Sequence, residues 1–183
     1  MANLLLLCSA SAALHKAVDL ASKLTQAGHT VRAALTPSAA SLISPQLFEA
    51  VTGDTAAASE FGGERRTAMD HIDLGLWAEI VVAAPASADL VGRLAHGISS
   101  DLPVSASLAV RPGAPRLLCP AMNPHMLENP AVARNLQQLV EDGWQLVEPG
   151  AGHLACGVEG KGRLAEVPEI TAAVAAALGE QAD

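Results

Sequence analysis

Three short loops of small and hydroxyl-bearing residues could hold a phosphate: Ser9-Ala10-Ser11-Ala12, Thr36-Pro37-Ser38 and Pro85-Ala86-Ser87-Ala88. Small side chains let backbone N–H groups and hydroxyls close on an anion where a helix begins. Tight packing alone also selects small residues in such turns, so both readings stay open. The chain has no G-x-G-x-x-G, which leaves out a plain dinucleotide fingerprint. His71 carries an imidazole that can exchange a proton near neutrality, although a histidine at a helix start also serves as a cap or surface group. Asn123, just before Pro124, either presents its amide to a ligand or closes an Asx turn. Cys156 is followed by Gly157-x-x-Gly160-x-Gly162, the setting of a flexible flap rather than of a core. Arg163 follows and suits a phosphate, a carboxylate or water. Met122 and Met126 fit either a ligand wall or an ordinary gap. Cys8 and Cys119 sit in apolar runs, where burial explains them.

The elements that must position these groups follow from short apolar runs. Residues 3–8, 30–35, 80–84, 116–119 and 144–147 read as buried strands. Between them lie helical patterns: residues 12–27 ending at Gly28, Ser44-Pro45 running to Gly53, a pattern after Pro85-Ala86-Ser87-Ala88-Asp89 running towards Gly97, and residues 129–142 before Gly143. An Ala-rich helix at residues 171–178 closes the chain. Strands alternating with helices predict an α/β protein with a Rossmann-like, flavodoxin-like three-layer fold, its central sheet parallel and its ligands outside the carboxyl ends of the strands. A single domain is expected over residues 1–183, with a flexible substrate flap around residues 150–165. Residues 54–67, with Gly62-Gly63 and Arg65-Arg66 and few large apolar groups, are expected to form a mobile surface loop.

Composition removes several classes. With 11 basic and 19 acidic side chains the net charge is −8, so the phosphate attraction behind nucleic-acid binding is missing over the chain as a whole. The chain has no Tyr, 2 Phe and 2 Trp, too few for a base-stacking platform. No apolar run approaches the ~20 residues of a membrane-spanning helix, and no basic segment opens the sequence as a secretory signal would, so a cytoplasmic protein is expected. The 3 cysteines are scattered, without zinc-site spacing or a disulfide framework, and no metal is expected.

Taken in order, five segments resemble the homo-oligomeric flavin-containing cysteine decarboxylases. They are Ser9-Ala10-Ser11-Ala12-Ala13; His71-Ile72-Asp73-Leu74 through Trp77-Ala78; Pro85-Ala86-Ser87-Ala88-Asp89-Leu90; Pro120-Ala121-Met122-Asn123 with Met126; and Leu154-Ala155-Cys156-Gly157 through Gly160-Lys161-Gly162-Arg163. The resemblance implies FMN as cofactor, with FAD as the alternative that an interface site leaves room for. It places the cofactor phosphate near Ser9, Ala10, Ser11 and Ser38, and the rest of the flavin along Ser87, Ala88, Asp89 and Ala121. His71, Asn123 and Cys156 are the implied catalytic residues, and Asn123, Met126, Gly157 and Arg163 the implied substrate contacts. Such proteins are similar in forming trimers or tetramers of trimers, so His71 is expected to serve a neighbour's flavin.

The implied chemistry is oxidation of a terminal cysteine, loss of CO2 to leave an enethiol, and, where Cys156 acts as an acid, return of the electrons to the product. Two substrates fit: a peptide ending in cysteine, and phosphopantothenoylcysteine of coenzyme A synthesis. The lean is to the peptide, because no synthetase domain accompanies the chain and because the sequence departs from the usual pattern. Ala10 stands for a common glycine, Asp89-Leu90 for Asn-Thr, Leu127 for tryptophan and Val158 for aspartate. The run at residues 99–103 also differs from the usual acidic one. A non-enzymatic regulatory flavoprotein is the third alternative, and the Asn123 and Cys156 segments speak against a flavin prenyltransferase.

Overall fold

A computed structural model describes residues 1–59, 69–153, 157 and 159–179. The apolar runs become a five-stranded parallel sheet: β1 Asn3–Cys8, β2 Thr30–Leu35, β3 Ile80–Ala86, β4 Arg116–Pro120 and β5 Trp144–Leu146, in the order β2-β1-β3-β4-β5. This is the flavodoxin-like order, in which the direction of winding reverses between β1 and β3 and opens a crevice at their carboxyl ends. β1 lies between β2 and β3, with Leu6 opposite both Ala33 and Val82.

Period-two alternation divides the strand side chains between two covered faces. Leu4, Leu6 and Cys8 point to a core closed by α1 (Leu14–Gln26), α3 (Pro45–Thr52) and α9 (Val167–Ala177). Leu5 and Leu7 point to a second core under α4 (Asp70–Trp77), α5 (Ala88–His96), α6 (Leu102–Leu108) and α8 (Pro130–Glu141). Helix α1 follows the rule for an amphipathic helix, burying Leu14, Ala17, Leu20, Ala21 and Leu24 at intervals of three and four. Helix α4 lies close on α6 because Gly75 has no side chain: a Cβ there would stand 2.6 Å from the Ala109 Cβ and 2.7 Å from the Ala106 carbonyl oxygen.

Other elements depart from the expected pattern. Thr36-Pro37-Ser38 is not an open loop but the start of α2 (Pro37–Leu42), with Thr36 as N-cap and Pro37 in the first turn. Pro124–Leu127 forms the short α7. Within the expected flap, β6 (Gly150–His153) and β7 (Glu159–Arg163) pair as an antiparallel hairpin outside the main sheet. Of the expected mobile loop, residues 60–67 lie outside the described residues. Its beginning is tied to the sheet edge, where Ala57 bridges to Ala34 and Asp54 pairs with Arg32 at 2.8 Å. Among the described residues, no helix is long and apolar enough to cross a membrane.

Candidate active site

The loops following β1, β3 and β4 meet at the carboxyl edge of the sheet and, with β7, enclose a cleft of about 710 Å³. Backbone and hydroxyl hydrogen bonds fix these loops to one another. The buried Ser9 hydroxyl donates to the Pro85 carbonyl at 2.8 Å and accepts from the Ser87 amide at 2.7 Å. The Ala121 amide donates to the Ala86 carbonyl at 3.0 Å, which fastens the third loop to the second. Above this base, Ala10, Ser11 and Ala12 lead into α1, whose N-cap Ala13 supplies no side-chain cap. The Ser11 hydroxyl accepts from the Ala13 amide at 3.2 Å. Opposite, Ser87 caps α5 by accepting from the Leu90 amide at 3.3 Å, and Ala88 stands beside it in the wall.

The far wall is made where β4 gives way to α7. Asn123 lines the cleft and also closes the Asx turn, its Oδ1 accepting from the His125 amide at 2.9 Å. The Asx turn is formed, and it fixes the plane of an amide that borders the cleft. Met122 and Met126 lie on the same wall. Strand β7 is docked against it, the Met122 amide donating to the Gly162 carbonyl at 3.0 Å. Gly162 has φ +146°, and a Cβ on it would collide with the Met122 carbonyl oxygen. A Cβ on Gly160 would stand 2.9 Å from Pro124 Cγ, so two glycines permit the close approach.

The structure thus brings Ala10, Ser11, Ser87, Ala88, Ala121, Asn123, Met126 and Arg163 around one cleft. Other expected residues stand elsewhere in the single chain. Ser9 is the buried brace beneath the loops, with its hydroxyl engaged within the protein. Ser38 is exposed on α2, and the hydroxyl of its neighbour Thr36 accepts from the Ala39 amide, so the third hydroxyl loop does not reach this cleft. Asp89 is exposed and paired with Arg93 at 2.6 Å. Gly157 is exposed and outside the lining, and Cys156 lies outside the described residues.

His71 sits in the first turn of α4, away from the lining residues. Helix α4 runs antiparallel to the strands: its last residue Trp77 accepts from Asn3 Nδ2, at the amino end of β1, at 3.3 Å. His71 therefore lies about 9 Å further towards the carboxyl edge.

Charged groups complete the mouth, the expected Arg163 together with Lys16 and Glu166, which sequence reading passed over. Lys16, on α1, and Arg163, on β7, line the cleft and pair with Glu166 at 2.8 Å and 3.0 Å. The hydrogen bond and charge of Lys16 hold the Glu166 carboxyl below the usual carboxylate range. The one local sign of Lys16 was its place in the first turns after the small-residue loop. Burial pushes the Cys119 thiol up to about 12 and the Cys8 thiol higher still, which agrees with their reading as buried, unreactive groups.

Comparison with known proteins gives a consistent picture. The model of the Flavoprotein family matches residues 1–179. The chain is 42% identical, over 168 residues, to the coenzyme A biosynthesis bifunctional protein CoaBC of Bacillus subtilis, covering 92% of this chain and 41% of that protein. It therefore spans less than half the length of that relative. Among solved structures, a mutant PPC decarboxylase complexed with pantothenoylaminoethenethiol superposes with a TM-score of 0.86 at 28% identity, covering 98% of this chain and 99% of the other. The FMN-dependent cysteine decarboxylase SpaF superposes with a TM-score of 0.81 at 29% identity, covering 97% and 95%.

Proposed function

The chain belongs to the Flavoprotein family, and from that premise we propose that it is an FMN-dependent decarboxylase of phosphopantothenoylcysteine. The observation that carries this reading is the 42% identity to the coenzyme A biosynthesis protein; among solved structures the PPC decarboxylase, at 28%, and SpaF, at 29%, are equally similar. The lean towards a peptide substrate gives way to it. That lean rested chiefly on a handful of flap and loop positions, whereas the identity extends over 92% of the chain.

The residues present suit a flavin mononucleotide. Ala10, Ser11, Ala12, Ala88 and Ala121 leave backbone groups uncovered around a space of about 710 Å³, within the usual range for a cofactor site. Ser11 and the start of α1 would hold the phosphate, and Ser87, Ala88 and Ala121 the remainder. When bound, the flavin supplies a two-electron acceptor and donor for the cysteine side chain.

Asn123, fixed through its Oδ1 by the His125 amide, orients the substrate carboxylate with its amide group. Met122, Met126 and Leu164 place apolar surface beside that carboxylate and limit the access of water. His71 takes the thiol proton, and because it does not border the cleft of its own chain, it is assigned to the cleft of a second copy in a trimer or a tetramer of trimers. Cys156, by its resemblance to the family's flap cysteine, is the acid that protonates the product carbon.

The test is direct. Purified yellow protein is incubated with phosphopantothenoylcysteine and, separately, with peptides ending in cysteine, and loss of CO2 is followed by mass. Turnover of the first compound is expected. Turnover of the peptides alone would overturn the substrate assignment, and a released cofactor of FAD mass would overturn FMN.

A further inference from the structure

The mouth of the cleft carries an arrangement that the reaction itself does not use. Two cations, Lys16 on α1 and Arg163 on β7, border the space, and a single carboxylate, Glu166 at the N-cap of α9, lies between them. Among the described residues Glu166 is the only partner that either cation has, which leaves one net positive charge among these three side chains in a chain of net charge −8, with the Glu169 carboxylate turned to the Glu166 amide at 2.8 Å. Lys16 uses one of its three donors on Glu166, and Arg163 one of its five. The Arg163 side chain passes over Gly152 of the paired strand, where a Cβ would stand 3.0 Å from its Nη1, so the glycine leaves it room. The Lys16 side chain is only 23% exposed, so its position is set by packing as well as by charge.

We propose that Lys16 and Arg163 form an oxyanion subsite for the substrate, with Glu166 as the positioning residue that holds both cations at the mouth. This rests on the proposed function only in naming the substrate. The guanidinium and the ammonium reach the two oxygens of the Glu166 carboxylate from two elements, and the donors that each has left over suit the several oxygens of a phosphate or carboxylate. The overall negative charge of the chain repels anions elsewhere, so the mouth is where an anionic tail is drawn in.

Binding to the flavin-loaded protein is measured by calorimetry with phosphopantothenoylcysteine and with pantothenoylcysteine, which lacks the phosphate. Wild type, Lys16→Met, Lys16→Arg and Arg163→Met are compared. If the subsite takes the phosphate, wild type prefers the phosphorylated compound by about ten-fold or more, a difference that the Met variants erase and Lys16→Arg keeps. If it takes the carboxylate, the Met variants weaken both compounds alike. Unchanged affinities in both Met variants would overturn the subsite. Loss of flavin from both would also overturn it, by assigning the cations to the cofactor's phosphate. Failure of wild type to bind either compound would sink the substrate reading instead. The same titration with a peptide ending in cysteine then decides the subsite, which falls if the Met variants bind that peptide as wild type does or if no binding is seen.

Discussion

Gly162→Ala should release the β6–β7 hairpin from the cleft wall while leaving the main sheet folded. The hairpin is attached to the wall where the Met122 amide donates to the Gly162 carbonyl at 3.0 Å, and the Gly162 Cα faces the Met122 carbonyl oxygen with no room for a Cβ. To restore ordinary non-bonded separation β7 must withdraw by about 1 Å. The hydrogen bond then lengthens to roughly 4 Å, beyond the range in which it counts. Its loss costs about 1 kcal/mol, and an alanine at φ +146° costs about 1 kcal/mol more.

Together these make local opening more frequent by a factor of roughly 30, since each 1.4 kcal/mol is tenfold. The assay is hydrogen exchange at the Met122 amide, followed with turnover and thermal melting. Exchange should accelerate by about that factor, and turnover should fall with it because Met122 and Asn123 border the cleft. Gly97→Ala is the control. Gly97 also has positive φ, at +62°, but nothing lies within 4 Å of its added Cβ, so its cost of about 1 kcal/mol should appear in the global melt and not in Met122 exchange. Wild-type exchange at Met122 in the Gly162 variant would refute the claim that this contact anchors the hairpin.

The remaining predictions concern the brace, the proton carrier and the clasp at the mouth. Ser9→Ala removes two hydrogen bonds and leaves the Ser87 amide without its acceptor, so a loss of about 1–3 kcal/mol is expected, a melting point lower by roughly 3–10 °C; a melt unchanged within a degree would count against it. His71→Asn should keep its flavin spectrum and lose turnover, and mixed oligomers with an Asn123→Ala chain should regain activity that neither variant has alone. Failure of mixing to restore activity would place His71 in its own chain's cleft. Because Lys16 depresses the Glu166 carboxyl in the folded state, the clasp stabilises the fold above the ordinary glutamate pKa of about 4.3 and is lost as pH falls through the depressed value. The melting difference between wild type and Glu166→Gln should therefore hold near neutrality and shrink in acid, and a difference undiminished at low pH would refute the sign.

The parallel sheet was legible because its strands are uninterrupted apolar runs, as at Leu4 to Leu7, which are buried on both faces. Helix α3 was legible from punctuation, Ser44-Pro45 at its start and Gly53 at its end. The same punctuation opens α2, Thr36 before Pro37, but the element is only one or two turns long and reads as a loop. Helix α6 was hidden for another reason: Leu102, Pro103, Val104, Ser105, Ala106 and Ser107 are all buried, so no polar face marks a helical period. At the site, the small-residue loops were visible because they are local. The Lys16–Glu166 pair was not, since 150 positions separate its members and the helices α1 and α9 bring them together only through their packing.

The two sides of the cleft are held by different forces, and this bears on how its chemistry can change. The loops after β1, β3 and β4 are fixed by buried hydrogen bonds that continue the main sheet, Ser9 to Pro85 and Ala121 to Ala86. Altering them disturbs the fold itself. The hairpin side, by contrast, rests on the Met122–Gly162 contact and the charges around Glu166. Substitution there can reshape the mouth without unfolding the sheet. Leu127, at the end of α7, lies beside this second side. It follows that exchanges confined to the hairpin, short of the buried Leu164 and Ala165, should alter the Michaelis constant and substrate preference with the flavin still bound, whereas exchanges at Ser9 or Ser87 should affect flavin retention and stability together.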